Sequence, residues 1–225
     1  MEKLIIESKY AIFEFQESDK KLMTSLAEYL DKKAMKIYKF FQIEPKQKAI
    51  FSIIPTKSEF DDIYYKYKKL NPATWIVGTT LKDNQIILLS YNDYVNNEIH
   101  NKDTFDHYKK TVVHEFVHFV NKLFTKENKC EYAEKFLSEG IATYLSEQYN
   151  ISSQIKSSLN DILQKRTNNY IDFKLLVKYL VENYDKEFVL SLFKSKQKAN
   201  AFLKQELYNK SKKYYQKLIY DLQEK

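Results

Sequence analysis

The sequence predicts an α+β fold, in which a sheet occupies the first part of the chain and helices fill the second. Short runs of β-branched and aromatic residues dominate the first 90 residues, whereas apolar residues at helical spacing dominate after residue 105. The chain has only two glycines and three prolines, so few breaks interrupt these segments. We therefore predict a single domain over residues 1–225, with an α/β lobe at 1–97, a helical lobe at 98–225 and a boundary within 92–102.

The first lobe is predicted to combine strands with two helices and a β-hairpin. Period-two patterns predict the strands Leu4–Ile6, Ala11–Phe15 and Ala49–Ile54, and helical periodicity predicts Lys20–Phe41 and Ser58–Tyr67. Residues 75–80 and 85–90 flank the turn sequence Lys82-Asp83-Asn84 and read as a hairpin.

The second lobe is predicted to be helical throughout. The predicted helices are Phe105–Leu123, Phe136–Leu145, Ile155–Leu163, Phe173–Tyr184, Lys186–Phe193, Ala199–Glu206 and Ser211–Leu222. No internal repeat and no long linker interrupts them.

The first of these helices carries the sequence His114-Glu115-Phe116-Val117-His118, an H-E-x-x-H motif. Positions four apart lie on one face of a helix, so both imidazoles can reach one Zn²⁺, and the glutamate can act as a base beside it. The neighbouring apolar residues Val112, Val113, Phe116, Val117 and Val120 form a stripe for a core, while Lys109, Lys110, Asn121 and Lys122 are predicted to complete the polar side.

A catalytic zinc site needs a third protein ligand, and Glu139 follows His118 after twenty residues. Glu139 precedes Gly140 inside an apolar, helical pattern, where glycine costs roughly 0.5–1 kcal/mol relative to alanine. Because the chain contains so few glycines, we predict that Gly140 allows a second helix to approach closely. Glu139 would then point at the two histidines.

The sequence H-E-F-V-H followed by L-S-E-G-I-A-T-Y-L resembles the gluzincin zinc metallopeptidases, in particular peptidase MA-like domains. The resemblance implies a zinc cleft between the lobes, with one Zn²⁺ per chain held by His114, His118 and Glu139. It implies Glu115 as the catalytic base and Tyr170 as a stabiliser of the oxyanion.

The resemblance also implies a strand at the rim of the cleft that pairs with extended substrate. We assign it to Gln85, Ile86, Ile87 and Leu88, or to the hairpin partner of that strand. Two positions depart from the family. Thr143 stands where thermolysin-like members have an aspartate that orients a histidine, and Phe173 stands where related aminopeptidases usually have glycine. No amine-recognition motif is visible, which favours an endopeptidase acting on peptide or protein substrates.

Two other functions are compatible with the sequence. The fold and metal could serve a binding or regulatory module without useful turnover, although the intact Glu115 argues against it. The carboxy-terminal lysines, part of a net charge of +7, could bind nucleic acid, but the single arginine, Arg166, argues against dense phosphate readout.

Cellular location is predicted from the ends and from cysteine usage. The single cysteine, Cys130, fits a reducing compartment, and neither a signal peptide nor a membrane-length apolar run is seen. We therefore expect a cytoplasmic protein without a membrane span, and the sequence leaves its oligomeric state open.

Overall fold

The computed structural model describes residues 3–82, 84–149 and 154–223. Contacts divide the chain into two compact units, residues 1–120 and 121–225, and each is described by itself. The first unit contains the sheet and the second is helical, so the predicted α+β class is confirmed. The division into two metallopeptidase-like lobes stays a prediction.

Five strands form one mixed sheet in the first unit. They are β1 (Leu4–Glu7), β2 (Ala11–Phe15), β3 (Ala49–Ile54), β4 (Gly78–Thr80) and β5 (Gln85–Leu89), in the order β1-β2-β3-β5-β4. The two central pairings are parallel and the two outer pairings antiparallel. Asp83, in the predicted turn between β4 and β5, lies outside the described residues.

The first unit also contains helices, and all but one of them lie where helical periodicity predicts a helix. They are α1 (Lys20–Phe41), preceded by a 3₁₀ turn over Glu17–Asp19, then α2 (Lys57–Lys68), α3 (Tyr91–Asn96) and α4 (Phe105–Glu127). The boundary between the units falls inside α4. The short α3 was not predicted, because it lies in the segment that we took for a lobe boundary.

The second unit consists of helices, and α5 and α7 pack against each other most extensively. They are α5 (Lys135–Leu145), α6 (Leu159–Leu163), α7 (Tyr170–Asn183), α8 (Lys186–Phe193), α9 (Lys196–Phe202) and α10 (Tyr208–Gln223), with a π-helical turn over Leu203–Leu207. None of the helices within the described ranges is long and apolar enough to span a membrane.

The prediction for α6 was wrong over its first four residues. The Ser158 hydroxyl accepts a hydrogen bond from the Asp161 amide at 3.1 Å, so the helix is capped there and starts at Leu159. The amides of Lys156 and Ser157 instead donate to the buried Asp172 carboxylate, at 3.0 and 2.6 Å. Periodicity alone does not reveal such a long-range acceptor.

Candidate metal centre

Helix α4 holds the two motif histidines because its apolar stripe is fixed in a core. The five residues of the predicted stripe are buried, and His114 and His118 are buried as well, with 7% and 9% of their surfaces exposed. Their Nε2 atoms lie 3.1 Å apart. Two nitrogen ligands at 2.0–2.1 Å from one tetrahedral ion would lie about 3.3 Å apart, so the pair is already close to ligand spacing.

One position of α4 was assigned to the wrong side. Asn121 was predicted to belong to the polar face, yet only 1% of its surface is exposed. It stands seven residues after His114 and three after His118, and these spacings place it on the histidine face of the helix. The prediction relied on the polar side chain of Asn121, whereas the position of the residue on the helix determines its burial.

Helix α5 carries Glu139, and its ligand atom completes a three-residue group. One ligand atom each from His114, His118 and Glu139 lies within 4.8 Å of the other two, and this is the single group of this kind among residues 3–82, 84–149 and 154–223. Two imidazoles and a carboxylate form a donor set that suits zinc and leaves a fourth tetrahedral position. These three residues could therefore hold a metal ion.

Gly140 has the role that the sequence predicted for it. A β-carbon at this position would lie 2.5 Å from the Phe173 carbonyl oxygen and 2.5 Å from Val177 Cγ2, both on α7. Real β-carbons essentially never approach other atoms so closely. The absent side chain thus allows α5 and α7 to pack in contact, and this packing fixes the helix that bears Glu139.

The neighbours of Glu139 on its own helix add a hydrogen bond and a positive charge. The Thr143 hydroxyl donates to the Glu139 carbonyl oxygen at 2.7 Å. Lys135, one turn before Glu139, donates to the Asn168 side chain. Burial lowers the pKa of Lys135, and the negative charge of Glu139 opposes this shift.

Glu115 lies against the strand β4, in a setting that the sequence analysis did not identify. Its surface is 8% exposed, and its carboxylate Oε2 accepts a hydrogen bond from Thr80 Oγ1 at 3.2 Å. A β-carbon on Gly78 would lie 3.0 Å from Glu115 Cγ and 2.7 Å from Leu88 Cδ2. Gly78 therefore makes the space that the Glu115 side chain occupies.

Tyr64 on α2 is a further residue near the motif glutamate. Burial raises the pKa of Tyr64, and the negative charge of Glu115 raises it further. The Tyr64 hydroxyl therefore keeps its proton at neutral pH. Gly78 could have been identified from the sequence because it is one of only two glycines, but neither Thr80 nor Tyr64 stands out among the residues of its type.

The rim strand needs a correction, because β5 has no free edge. β5 pairs with β3 on one side and with β4 on the other, and Ile86, Ile87 and Leu88 are buried. Within the described residues the sheet has two edge strands, β1 and the hairpin partner of β5, which is β4. Of the two hairpin strands only β4 leaves an edge at which an extended peptide could pair, so the assignment to Gln85–Leu88 was wrong in its geometry and the alternative partner strand fits.

Tyr170 is the first residue of α7, the helix against which Gly140 packs. It is partly buried, and its ring lies 6.3 Å from the Phe173 ring, measured between centroids. Its assignment as an oxyanion stabiliser stays a prediction.

Comparison with known proteins adds no family assignment, since no protein-family model and no curated protein sequence matches this chain.

Proposed function

We propose that this chain is a zinc-dependent peptidase of the gluzincin type, acting as an endopeptidase on peptide or protein substrates. The observation that carries the proposal is the convergence of His114, His118 and Glu139 within 4.8 Å, with a buried glutamate directly after the first histidine. The resemblance of the two motifs to that family supports the same function.

His114, His118 and Glu139 would hold the zinc ion through two imidazole nitrogens and a carboxylate oxygen. When bound, zinc supplies a Lewis acid that polarises the scissile carbonyl and makes water more acidic. The ligand set leaves room for water and substrate, as a catalytic rather than a structural site requires.

Glu115 would act as the general base and then as the general acid. Its carboxylate takes the proton of the attacking water, and it later delivers that proton to the nitrogen of the leaving amine. A carboxylate is suited to both steps because it is ionised before attack and carries a proton afterwards. Such proton transfer contributes about 10²–10⁴-fold to a rate.

Two further roles follow from the family resemblance. The Tyr170 hydroxyl would donate a hydrogen bond to the oxygen on which negative charge develops. The edge strand β4 would pair with the main chain of an extended substrate, which gives affinity without strong sequence preference.

The test combines metal analysis with hydrolysis of an unfolded protein substrate. The purified chain should contain about one equivalent of zinc, and hydrolysis should stop with a chelator and return with zinc. Glu115→Gln should retain zinc and lose at least about a hundredfold in kcat. Glu127→Gln, the same change on the same helix, should leave both properties unchanged.

The ligand variants separate the remaining functions. His118→Ala should lose zinc and activity together, whereas His107→Ala, a histidine on the same helix outside the three-residue group, should lose neither. Zinc binding without hydrolysis by the wild-type chain would indicate the binding-module function. A chain that binds no zinc would overturn the proposal altogether.

A further inference from the structure

We infer that Thr80 is a positioning residue for Glu115, an inference that rests on the proposed function. Thr80 is 4% exposed, and its hydroxyl reaches two oxygens of the same glutamate. Oγ1 lies 3.2 Å from the carboxylate Oε2 and 3.2 Å from the main-chain carbonyl oxygen of Glu115.

The two contacts together constrain the conformation of Glu115. A threonine hydroxyl carries one proton, and both facing atoms are acceptors when the carboxylate is ionised. The hydroxyl shares this proton between the main-chain carbonyl oxygen and the carboxylate Oε2 of Glu115, so the side-chain torsions that separate these two oxygens are restricted. One carboxylate oxygen is thereby held toward β4, which leaves the other for proton transfer.

The strand β4 is built to make this contact. Alternate residues of a strand face the same side, so Gly78 and Thr80 both face Glu115. Gly78 supplies space, since its absent β-carbon would lie 3.0 Å from Glu115 Cγ, and Thr80 supplies the donor. A larger residue at 78 would push the carboxylate away from the Thr80 hydroxyl.

The main chain around Thr80 is itself fixed on both sides. Thr80 pairs with Ile86 in the antiparallel ladder, and the next amide, of Leu81, donates to the Gln85 carbonyl at 2.8 Å. The Thr80 carbonyl accepts a hydrogen bond from Lys68 Nζ at 3.2 Å. The hydroxyl is therefore presented from a rigid support, as precise placement of a catalytic group requires.

The direct test compares variants of Thr80 that differ in the hydroxyl. Thr80→Val removes the hydroxyl and keeps the shape, and Thr80→Ser keeps the hydroxyl. We expect Thr80→Val to lower kcat about ten- to a hundredfold, with KM and zinc affinity within about twofold of wild type. Thr80→Ser should recover kcat to within about threefold, by the same reasoning. Thr125→Val, a threonine whose hydroxyl donates to the Asn121 carbonyl oxygen inside α4 at 2.8 Å, should leave kcat unchanged.

A second measurement does not depend on activity. In metal-free protein, a double-mutant cycle of Thr80→Val and Glu115→Ala, followed by urea unfolding, should give non-additive effects, because each change removes the same contact. If Thr80→Val does not fold, Thr80→Ala and Thr80→Ser take its place in both measurements.

The inference is overturned by several results. They are an unchanged kcat in Thr80→Val, equal losses in the serine and valine variants, a loss of zinc with kcat, or additivity in the cycle. Each of these leaves the peptidase proposal intact, provided that the wild-type chain hydrolyses its substrate. Absence of hydrolysis by the wild type removes the proposed function, whereas the metal-free cycle still reports on the contact itself.

Discussion

Replacing Gly140 by alanine should open the contact between α5 and α7. The new β-carbon would meet the Phe173 carbonyl oxygen and Val177 Cγ2 at 2.5 Å, and ordinary contacts begin at 3.4 Å. A side chain can rotate away from such a clash, but a carbonyl oxygen inside a helix cannot. The two helices must therefore separate.

The magnitude follows from two opposing effects. Overpacking of a core costs about 1–3 kcal/mol, and the rigid main-chain contact places this case in the upper part of that range. Alanine is the better helix former by about 0.5–1 kcal/mol, which offsets part of the loss. We expect a net destabilisation of about 1–2 kcal/mol in metal-free protein, measured by urea unfolding.

The same substitution should weaken metal binding, because Glu139 is the adjacent residue. We expect the zinc affinity to fall at least about tenfold, as when the support of a metal ligand is disturbed. Competition with a chromogenic chelator measures this loss. Glu115 stands on another helix and should keep its hydrogen bond to Thr80.

Two further variants show which contact matters. In a Val177→Ala background, Gly140→Ala should still destabilise, though less than in wild type, because the Phe173 carbonyl remains in the way. Gly78→Ala meets only side chains, so it should cost less stability and act mainly on kcat through Glu115. If Gly140→Ala has wild-type stability and zinc affinity, the close approach is not what the glycine provides, and the reasoning fails.

Three other outcomes are expected. Saturating zinc at about a hundred times its dissociation constant should raise the free energy of unfolding by about 2.7 kcal/mol, and a chelator or His118→Ala should abolish this gain in urea titrations. Tyr170→Phe should lower kcat about ten- to a thousandfold at unchanged zinc content, in the assay used for Glu115→Gln. Burial alone would raise the pKa of Asp103, but hydrogen bonds from Tyr94 and His100 outweigh it and hold the pKa below 3.8. A lowered pKa of Asp103 gives stability that is present above pH 3.8 and is lost as the pH falls through the pKa of the folded state. Asp103→Asn should therefore destabilise the protein at pH 7, by about 1 kcal/mol because the group is partly exposed. The difference in stability between this variant and wild type should shrink in acid.

Each of these outcomes can be contradicted. A zinc-independent unfolding midpoint would argue against a metal centre, and an unchanged kcat in Tyr170→Phe would remove that residue from the mechanism. A constant difference between Asp103→Asn and wild type from pH 7 down to the acid transition would contradict the assigned hydrogen bonds. Asp62→Asn, at an exposed position on α2, serves as the control.

The sequence predicted the parts of the site that depend on spacing within one helix. The i, i+4 histidines and the stripe of α4 follow from helical geometry, which is local. Gly140 was informative because glycine is costly in a helix; close approach of a second helix was predicted, and the structure shows that this helix is α7. Glu139 was predicted as the third ligand from its place beside Gly140 and from the family resemblance, and its position within 4.8 Å of both histidines agrees with that prediction.

The parts that sequence did not predict depend on contacts between distant segments. Thr80 and Glu115 are 35 residues apart, and only the folded strand brings them together. The order of strands decided that β4, rather than β5, lies at the edge, and no alternation pattern within β5 reveals its neighbours. The predictions for Asn121 and for the start of α6 were wrong for the same reason. Tertiary packing determines the burial of Asn121 and places the Asp172 carboxylate near the residues before α6.

Both glycines of the chain stand beside a site glutamate, Gly78 against Glu115 and Gly140 next to Glu139. Neither position has room for a side chain, because a β-carbon would lie 2.7 Å from Leu88 Cδ2 at residue 78 and 2.5 Å from the Phe173 carbonyl oxygen at residue 140. A composite pattern of G-x-T, then H-E-x-x-H, then E-G, with loose spacing between the three, could therefore recover remote homologues of this chain that full-length alignment overlooks.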